Sequence, residues 1–448
     1  KRQAFYGIIG VLPAYMTERA AAALGRADAT AVYTHALHAT SFAYYLLTLF
    51  VFRLILLQVT RSRATALTAT GLLALFPLWL GFGFFDHKDV PTAFFVTLAL
   101  YAAIGVLQSQ GDQSAIRRFS AILALATVLL AGLKIPALVL VVPGWCAALY
   151  ILLHERRYRT AVWLCAITAF GVALVTPVAW TDPVNFVLQS FKLMSRHEWS
   201  GCTLSASIWM CPQQQDWSAL AYMRVWYVAQ MPVAVGLGAV CAIALAPWRG
   251  RVQMLIAVSL LFPLTLIAAR NSTLYDGLRH LLFTVPLIFL LAAIFWHEVA
   301  LRIGKGTTAA GAAALAGLFV WENIEMFPYN YVYFNLPTRA LADSGNFVTD
   351  LWGYSLKEAA ELPVVNDPAA NVIANPAHLV VPYLKQPHPM IVSPAGASSL
   401  PRPSKAIVIA YMREWYLPPD CTDVQFVTRR LPFGRELRMS YAARCSIQ

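Results

Sequence analysis

Charge is scarce in this sequence. Only 12% of its 448 residues are Asp, Glu, Lys or Arg, while 59% are hydrophobic. A soluble globular chain carries about a quarter charged residues and about 45–50% apolar ones. A water-soluble enzyme of two or three domains would therefore lack the polar surface it needs. Familiar catalytic signatures are missing as well: no P-loop, GxGxxG, HExxH or GxSxG pattern stands in a fitting context. No internal repeat is visible. The start, Lys1-Arg2-Gln3-Ala4-Phe5, has neither a signal peptide nor an initiating Met, so the true N-terminus is expected upstream. Acidic charge is the scarcer sign, and the formal balance is +12. Nucleic-acid binding would need that excess gathered on one face of a soluble domain. Here Lys and Arg sit mostly in short loops between apolar runs, so no nucleic-acid partner is expected.

Apolar runs are what the chain has in abundance. A membrane-spanning helix needs about 20 mostly apolar residues, and ten candidate spans follow in series: 32–58, 65–85, 90–108, 119–133, 135–153, 160–178, 228–246, 252–269, 280–298 and 307–327. The pair meeting at Lys134-Ile135-Pro136 could also form one kinked element. Basic residues then set the orientation. Arg61 and Arg63, Arg117 and Arg118, Arg156, Arg157 and Arg159, Arg249 and Arg251, and Arg302 with Lys305 fall in alternate loops. Those loops are expected on the cytoplasmic side. Asp86 to Asp89, the stretch 179–227, the 270–279 turn and everything past about 328 then lie outside. The expected localisation is a multi-pass inner membrane protein with its C-terminal domain periplasmic or extracellular.

Cysteine usage agrees with that topology. Cys146, Cys165 and Cys241 lie inside apolar spans, where a thiol acts as a small hydrophobe. Cys202 with Cys211 and Cys421 with Cys445 form two pairs on the side expected to be oxidising. Disulfides are the favoured reading. A metal site is the rival, but neither pair has CxxC spacing or a clustered His partner.

From about 349 the pattern changes. Residues 355–362 read as a short helix, and apolar runs at 371–374, 406–411, 424–427 and 436–441 read as strands between Pro-rich turns. The Pro-rich stretch 387–404 reads as a loop. The expected organisation is an outer-loop segment over 1–31, a transmembrane helical domain over 32–327 and a small α/β domain over 328–448.

Charges at span mouths are functional candidates, because placing them at membrane depth is costly. The densest spot is Phe84-Phe85-Asp86-His87-Lys88-Asp89-Val90-Pro91, joining two spans with almost no slack. Asp86 and Asp89 could share one side of a turn, with Asp89 and Pro91 suiting a helix start. Without a function, the same loop would be a charged hairpin cap that stays in water. Arg279 and His280 precede a span on the outer side, where positive residues are not topology signals. A guanidinium there could grip a phosphate, or snorkel to the interface. Lys134 could hold a phosphate or cap a short outer turn. His197 and Glu198, beside Trp199, suit sugar or headgroup contact, although interfacial anchoring by Trp199, Trp209, Trp217 and Trp226 is the more ordinary role.

Taken in order, these stretches resemble bacterial family-39-like glycosyltransferases of the GT-C class, relatives of protein O-mannosyltransferases and lipid A aminoarabinose transferases. The resemblance rests on the outer loop Phe82 to Pro91, then His197-Glu198-Trp199-Ser200-Gly201, then Asp276-Gly277-Leu278-Arg279-His280. It continues through Pro328 to Asn335, Trp352-Gly353 and Lys357-Glu358-Ala359-Ala360, and so covers nearly the whole chain. It implies a sugar transfer from a polyprenyl-phosphate donor to an acceptor glycan, lipid or protein on the outer face. An acceptor hydroxyl needs a base and a departing phosphate needs cations. The resemblance points to Asp89, with Asp86, on the carboxylate side, and to Lys88, Arg279 and His280 toward the lipid phosphate. His197, Glu198 and Lys134 are weaker candidates. His87 and Asp86 depart from the family's usual Pro and Asn. The family's first span and its acidic outer loop would precede Lys1, so this chain could be inactive alone. Relatives differ on metal, so none is assigned and a divalent ion stays open. The α/β domain would cover the site or bind acceptor.

Two other function classes compete. A transporter or flippase predicts inverted repeats and mid-membrane polar groups, whereas the charges here gather at one face. A non-catalytic membrane scaffold or sensor with an outer domain is the third.

Overall fold

Backbone groups in a bilayer must be satisfied within the chain, so apolar runs of this length fold as helices. The computed structural model describes residues 11–25, 29–109, 111–195, 197–199, 201–343, 345–412 and 420–447. The opening Lys1–Phe5 and Ser200 of the 197–201 motif lie outside the described residues.

The helices, in chain order, are α1 Leu12–Ala23, α2 Ala29–Thr60, α3 Arg63–Leu75, α4 Pro77–Phe85, α5 Asp89–Gln108, α6 Gln113–Leu133, α7 Val142–His154, α8 Tyr158–Val175, α9 Pro183–Ser195, α10 Ala219–Gln230, α11 Val233–Arg249, α12 Arg251–Ala269, α13 Thr284–Ile303 and α14 Lys305–Met326. Among the described residues, seven helical segments are long and apolar enough to cross a membrane, or eight if α3 and α4 form one span. The chain is a polytopic helical membrane protein with a C-terminal α/β region.

The helices differ in detail from the ten expected runs. The run 65–85 is two helices bent by 64°. Pro77 lacks an N–H, and its ring disfavours the helical region for Phe76, which is extended at ψ 114. Helix α11 is too short for a full span by itself, and α14, with Glu322 and Glu325 near its end, is not among the seven. The stretch at Lys134 is two elements: α6 ends at Leu133, and a 3-10 turn over Ile135–Val141 leads into α7.

The chain divides into two compact units. The first comprises residues 1–200, 212–224 and 231–320. Its central helix is α5, which packs against α2, α6 and α7 and is 89% buried over its apolar window. Helix α8 is only 22% buried, so most of its surface is left for lipid. Close approach needs small residues. A Cβ on Gly105 would meet the Phe119 ring at 2.3 Å, and one on Gly238 would meet Trp296 at 2.6 Å. Several hydroxyls inside the helices are satisfied locally, as where Thr97 Oγ1 donates to the Ala93 carbonyl and Thr127 Oγ1 to that of Leu123. Trp145 Nε1 donates to Thr127 Oγ1 at 2.8 Å, pinning α7 to α6.

The second unit comprises residues 201–211, 225–230 and 321–448. A hairpin of β1 Thr203–Ser205 and β2 Ile208–Met210 is closed by a disulfide between Cys202 and Cys211. The hairpin joins this unit through Val348, whose N–H donates to the Leu204 carbonyl. The main sheet contains β3 Asn371–Asn375, β4 Ile391–Val392, β5 Ser404–Tyr411, β6 Cys421–Arg430 and β7 Glu436–Ile447, in the order β4-β3-β5-β7-β6. The first three are parallel, while β7 runs antiparallel to both β5 and β6. The run Ala406–Ala410 in β5 is wholly buried, as a central strand covered on both faces requires. Cys421 and Cys445 are register partners on β6 and β7 and are bonded to each other. Strand β4 lies inside the Pro-rich stretch read as loop, since two residues beside β3 leave no periodicity to detect. The helix expected over 355–362 is shorter, Leu356–Ala359.

Candidate functional site

Three separate stretches of the first unit bring charge to one end of the helices. The first is the turn between α4 and α5. Asp86 ends α4, and its Oδ1 accepts the N–H groups of Lys88 at 3.0 Å and Asp89 at 2.8 Å. A short acidic side chain is suited to this, because it satisfies donors that the first turn of α5 cannot pair internally. The turn places Asp89 at the head of α5, 6% exposed, and Asp86 is 2% exposed.

The second stretch is the break after α6. Lys134 is extended, with φ −163° and ψ 99°, and Pro136 follows in the 3-10 turn. Its Nζ lies 3.6 Å from Asp89 Oδ1. The third is the turn before α13. Asp276 and Gly277 both take left-handed backbone conformations, φ 61° and 64°, which Asp and Gly tolerate best. A 3-10 turn over Arg279–Leu281 then presents the guanidinium. Arg279 Nε stands 3.4 Å from Asp89 Oδ2 and 3.7 Å from Asp86 Oδ2, and its Nη1 donates to Asp276 Oδ2 at 3.1 Å. Arg279 therefore does not snorkel. Its side chain is drawn inward by three carboxylates.

The electrostatics follow from burial. Desolvation pushes the Asp86 carboxyl up to about 6; the neighbouring Asp89 charge adds to this and Arg279 opposes it. Burial works against the Arg279 charge, but Asp86, Asp89 and Asp276 outweigh it and hold that group above its ordinary value. Burial lowers the Lys88 ammonium, helped by the nearby Arg279 charge. Burial also lowers His87 to about 4 and His280 to about 3, so both rings are neutral at physiological pH. The enclosed His280 Nε2 has no hydrogen-bond partner among the described residues.

Of the residues singled out in the sequence, Asp86, Asp89, Lys134 and Arg279 meet directly, and Lys88 and His280 stand in the same field. His197 is linked through its backbone, its carbonyl accepting from Thr273 Oγ1 at 3.0 Å. Glu198 is exposed and makes none of the cluster's ion pairs. Two participants went unnoticed as site residues. Asp276 could have been found from its Asp-Gly turn three residues before Arg279. Tyr275 stacks on Trp199 at 4.4 Å and meets the His280 ring edge-on at 4.4 Å, and no sequence signal marks that. Among the described residues no group of three or more His, Cys, Asp or Glu side chains could hold a metal ion. The three carboxylates converge on a guanidinium instead.

No family model matches the sequence, and no curated protein matches it. The solved structures that resemble it include two of one protein. These two are ArnT from Cupriavidus metallidurans in the apo state and the same protein bound to undecaprenyl phosphate. Identity is 12% and 11%, with TM-scores of 0.47 and 0.48. The alignments cover 98% of this chain and 87% and 88% of those chains.

Proposed function

We infer that the chain is a glycosyltransferase of the GT-C type, moving a sugar from a polyprenyl-phosphate-linked donor to a hydroxyl of a glycan, lipid or protein. The observation that carries this reading is the cluster in which Asp89 lies between Lys134 and Arg279 at the mouth of the central helix. Fixed cations at the bilayer boundary suit a phosphate whose tail stays in lipid. The order of motifs along the sequence favours the same reading. The cluster would face the periplasm or exterior, because the loops richest in arginine lie toward the other helix ends. The outer α/β domain would span 328–448.

In the proposed reaction the acceptor oxygen attacks the anomeric carbon. The bond from that carbon to the phosphate oxygen breaks, and the electron pair leaves on the lipid phosphate. Arg279, Lys134 and Lys88 stabilise the departing charge, and Asp89 takes the hydroxyl proton. Asp86 organises the turn that aims Asp89. The neutral His280 contributes a hydrogen bond and no charge.

The test is donor binding and sugar transfer in proteoliposomes containing a radiolabelled polyprenyl-phosphate sugar. Arg279→Ala is expected to lower transfer by on the order of 100-fold or more, with Asp89→Asn lowering turnover more than donor binding. Transfer unchanged in a folded Arg279→Ala protein would sink the phosphate role.

A further inference from the structure

The opposite end of α5 holds a second polar site. Asp89 and Gln108 bound this 20-residue helix, so its ends lie about 30 Å apart at 1.5 Å per residue. At the Gln108 end a cavity of about 590 Å³ is lined by Gln58, Arg61, Leu107, Gln108, Arg251 and Val252. These residues come from the last turn of α2 and the residue after it, the last turn of α5 and the first turn of α12. Arg61 follows α2 in a left-handed conformation, φ 53°, and Gly250, φ 105°, opens α12 directly before Arg251.

Arginines at span ends ordinarily signal topology. That accounts for their presence but not for two of them sharing one cavity. Among the described residues neither Arg61 nor Arg251 has a carboxylate within ion-pair distance, whereas nearby Arg249 holds Glu298 at 2.9 Å. Gln58 Oε1 is enclosed and accepts no hydrogen bond. An enclosed acceptor beside two exposed guanidiniums that hold no carboxylate suits an anionic group that also carries a donor.

We propose that this cavity binds a glycerol phosphate group, supplied in the bilayer by the headgroup of a phosphatidylglycerol-type lipid. The two guanidiniums take the phosphate oxygens, where a planar fork fits best. Backbone N–H groups at the start of α12, itself 19 residues long, add to them. The C-terminal ends of α2 and α5 disfavour an anion, each by about half a charge, and two full charges outweigh them. Gln58 Oε1 accepts from a headgroup hydroxyl, and Leu107 and Val252 take the glycerol carbons. The proposal does not depend on the transferase reading, because it uses none of the residues of the ion cluster.

The experiment is native mass spectrometry of the purified full chain in detergent, titrated with phosphatidylglycerol, phosphatidylcholine or soluble glycerol 3-phosphate. Phosphatidylglycerol should be retained about tenfold better than phosphatidylcholine. The double variant Arg61→Gln/Arg251→Gln should abolish that preference. Arg302→Gln, which removes a positive charge from the same end outside the cavity, should leave it intact. Failure of glycerol 3-phosphate to compete identifies the lipid as the source, and equal competition identifies a soluble anion in the same site. Equal retention of phosphatidylcholine overturns the proposal. So does an unchanged preference in the double variant, or an equal loss in Arg302→Gln, which would reduce it to surface charge. Should the double variant not elute as folded protein, Arg251→Gln and Gln58→Leu are read singly. The latter is expected to lower phosphatidylglycerol retention relative to phosphatidic acid, which lacks the hydroxyl.

Discussion

Asp86 does two jobs through its two oxygens. Oδ1 closes the turn by accepting two backbone N–H groups, and Oδ2 faces Arg279 at 3.7 Å. Counting Lys88, Lys134 and Arg279 against Asp86, Asp89 and Asp276, a proton on Asp86 shifts the local balance toward positive. A sugar phosphodiester keeps one negative charge throughout, so its affinity should rise as pH falls through about 6. Asp86→Asn should remove that dependence, as read by donor-binding isotherms between pH 5 and 8. The histidines predict a separate effect on stability. Their folded values of about 4 and about 3 lie below the ordinary 6.5, so the unfolded chain binds more protons between these limits. Stability contributed by His87 and His280 is therefore present above about 6.5 and is lost as pH falls toward 4. Asp86 works in the opposite direction between 6 and 3.8, one proton against two. Thermal unfolding in detergent should show the net acid loss, and His87→Gln/His280→Gln should flatten it. In the second unit, Arg339 is 1% exposed and holds Glu322, while donating to the carbonyls of Phe334 at 2.7 Å and Pro432 at 3.0 Å. Arg339→Ala leaves a buried carboxylate alone, and should cost about 3–5 kcal/mol by denaturant or thermal unfolding.

At the scale of elements, helices meet where glycine lets them. Gly105 on α5 receives the Phe119 ring of α6, and a methyl there would stand far inside van der Waals contact. Gly105→Ala is expected to destabilise the first unit by about 1–3 kcal/mol through overpacking, measured as a lowered unfolding temperature with the second unit's sheet retained. The bend at Phe76-Pro77 has a different cause. Proline removes a helical hydrogen bond there, and α4 restarts with Pro77 as its first residue, where no N–H is needed. The bend matters to the site, because α4 delivers Asp86 to the turn. The break at Pro77 was not read from the sequence, where 65–85 stood as one span, although the end of that run was legible. The angle of 64° was not, since it depends on what α3 and α4 pack against.

At the scale of the molecule, the second unit gathers pieces from three parts of the chain. Its sheet is held at one edge by the Cys421–Cys445 bond, which closes a 24-residue separation. Cys421→Ser should cost about 2–4 kcal/mol, read as faster hydrogen exchange in β6 and β7. Long apolar runs determined the helical membrane fold by themselves, because lipid offers backbone groups no partner outside the helix. Short apolar runs between Pro-rich turns likewise marked β3, β5, β6 and β7, and the clustering of Asp86, Lys88 and Asp89 marked one mouth of the bundle. Tertiary structure decided the rest. Arg279 and Lys134 reach Asp89 only because two turns, after α6 and before α13, fall at the same level as the head of α5. No local pattern encodes that level. It is set by the lengths and packing of whole helices, and the ion pairs form where those lengths bring opposite charges within a few ångströms in a poorly solvated place.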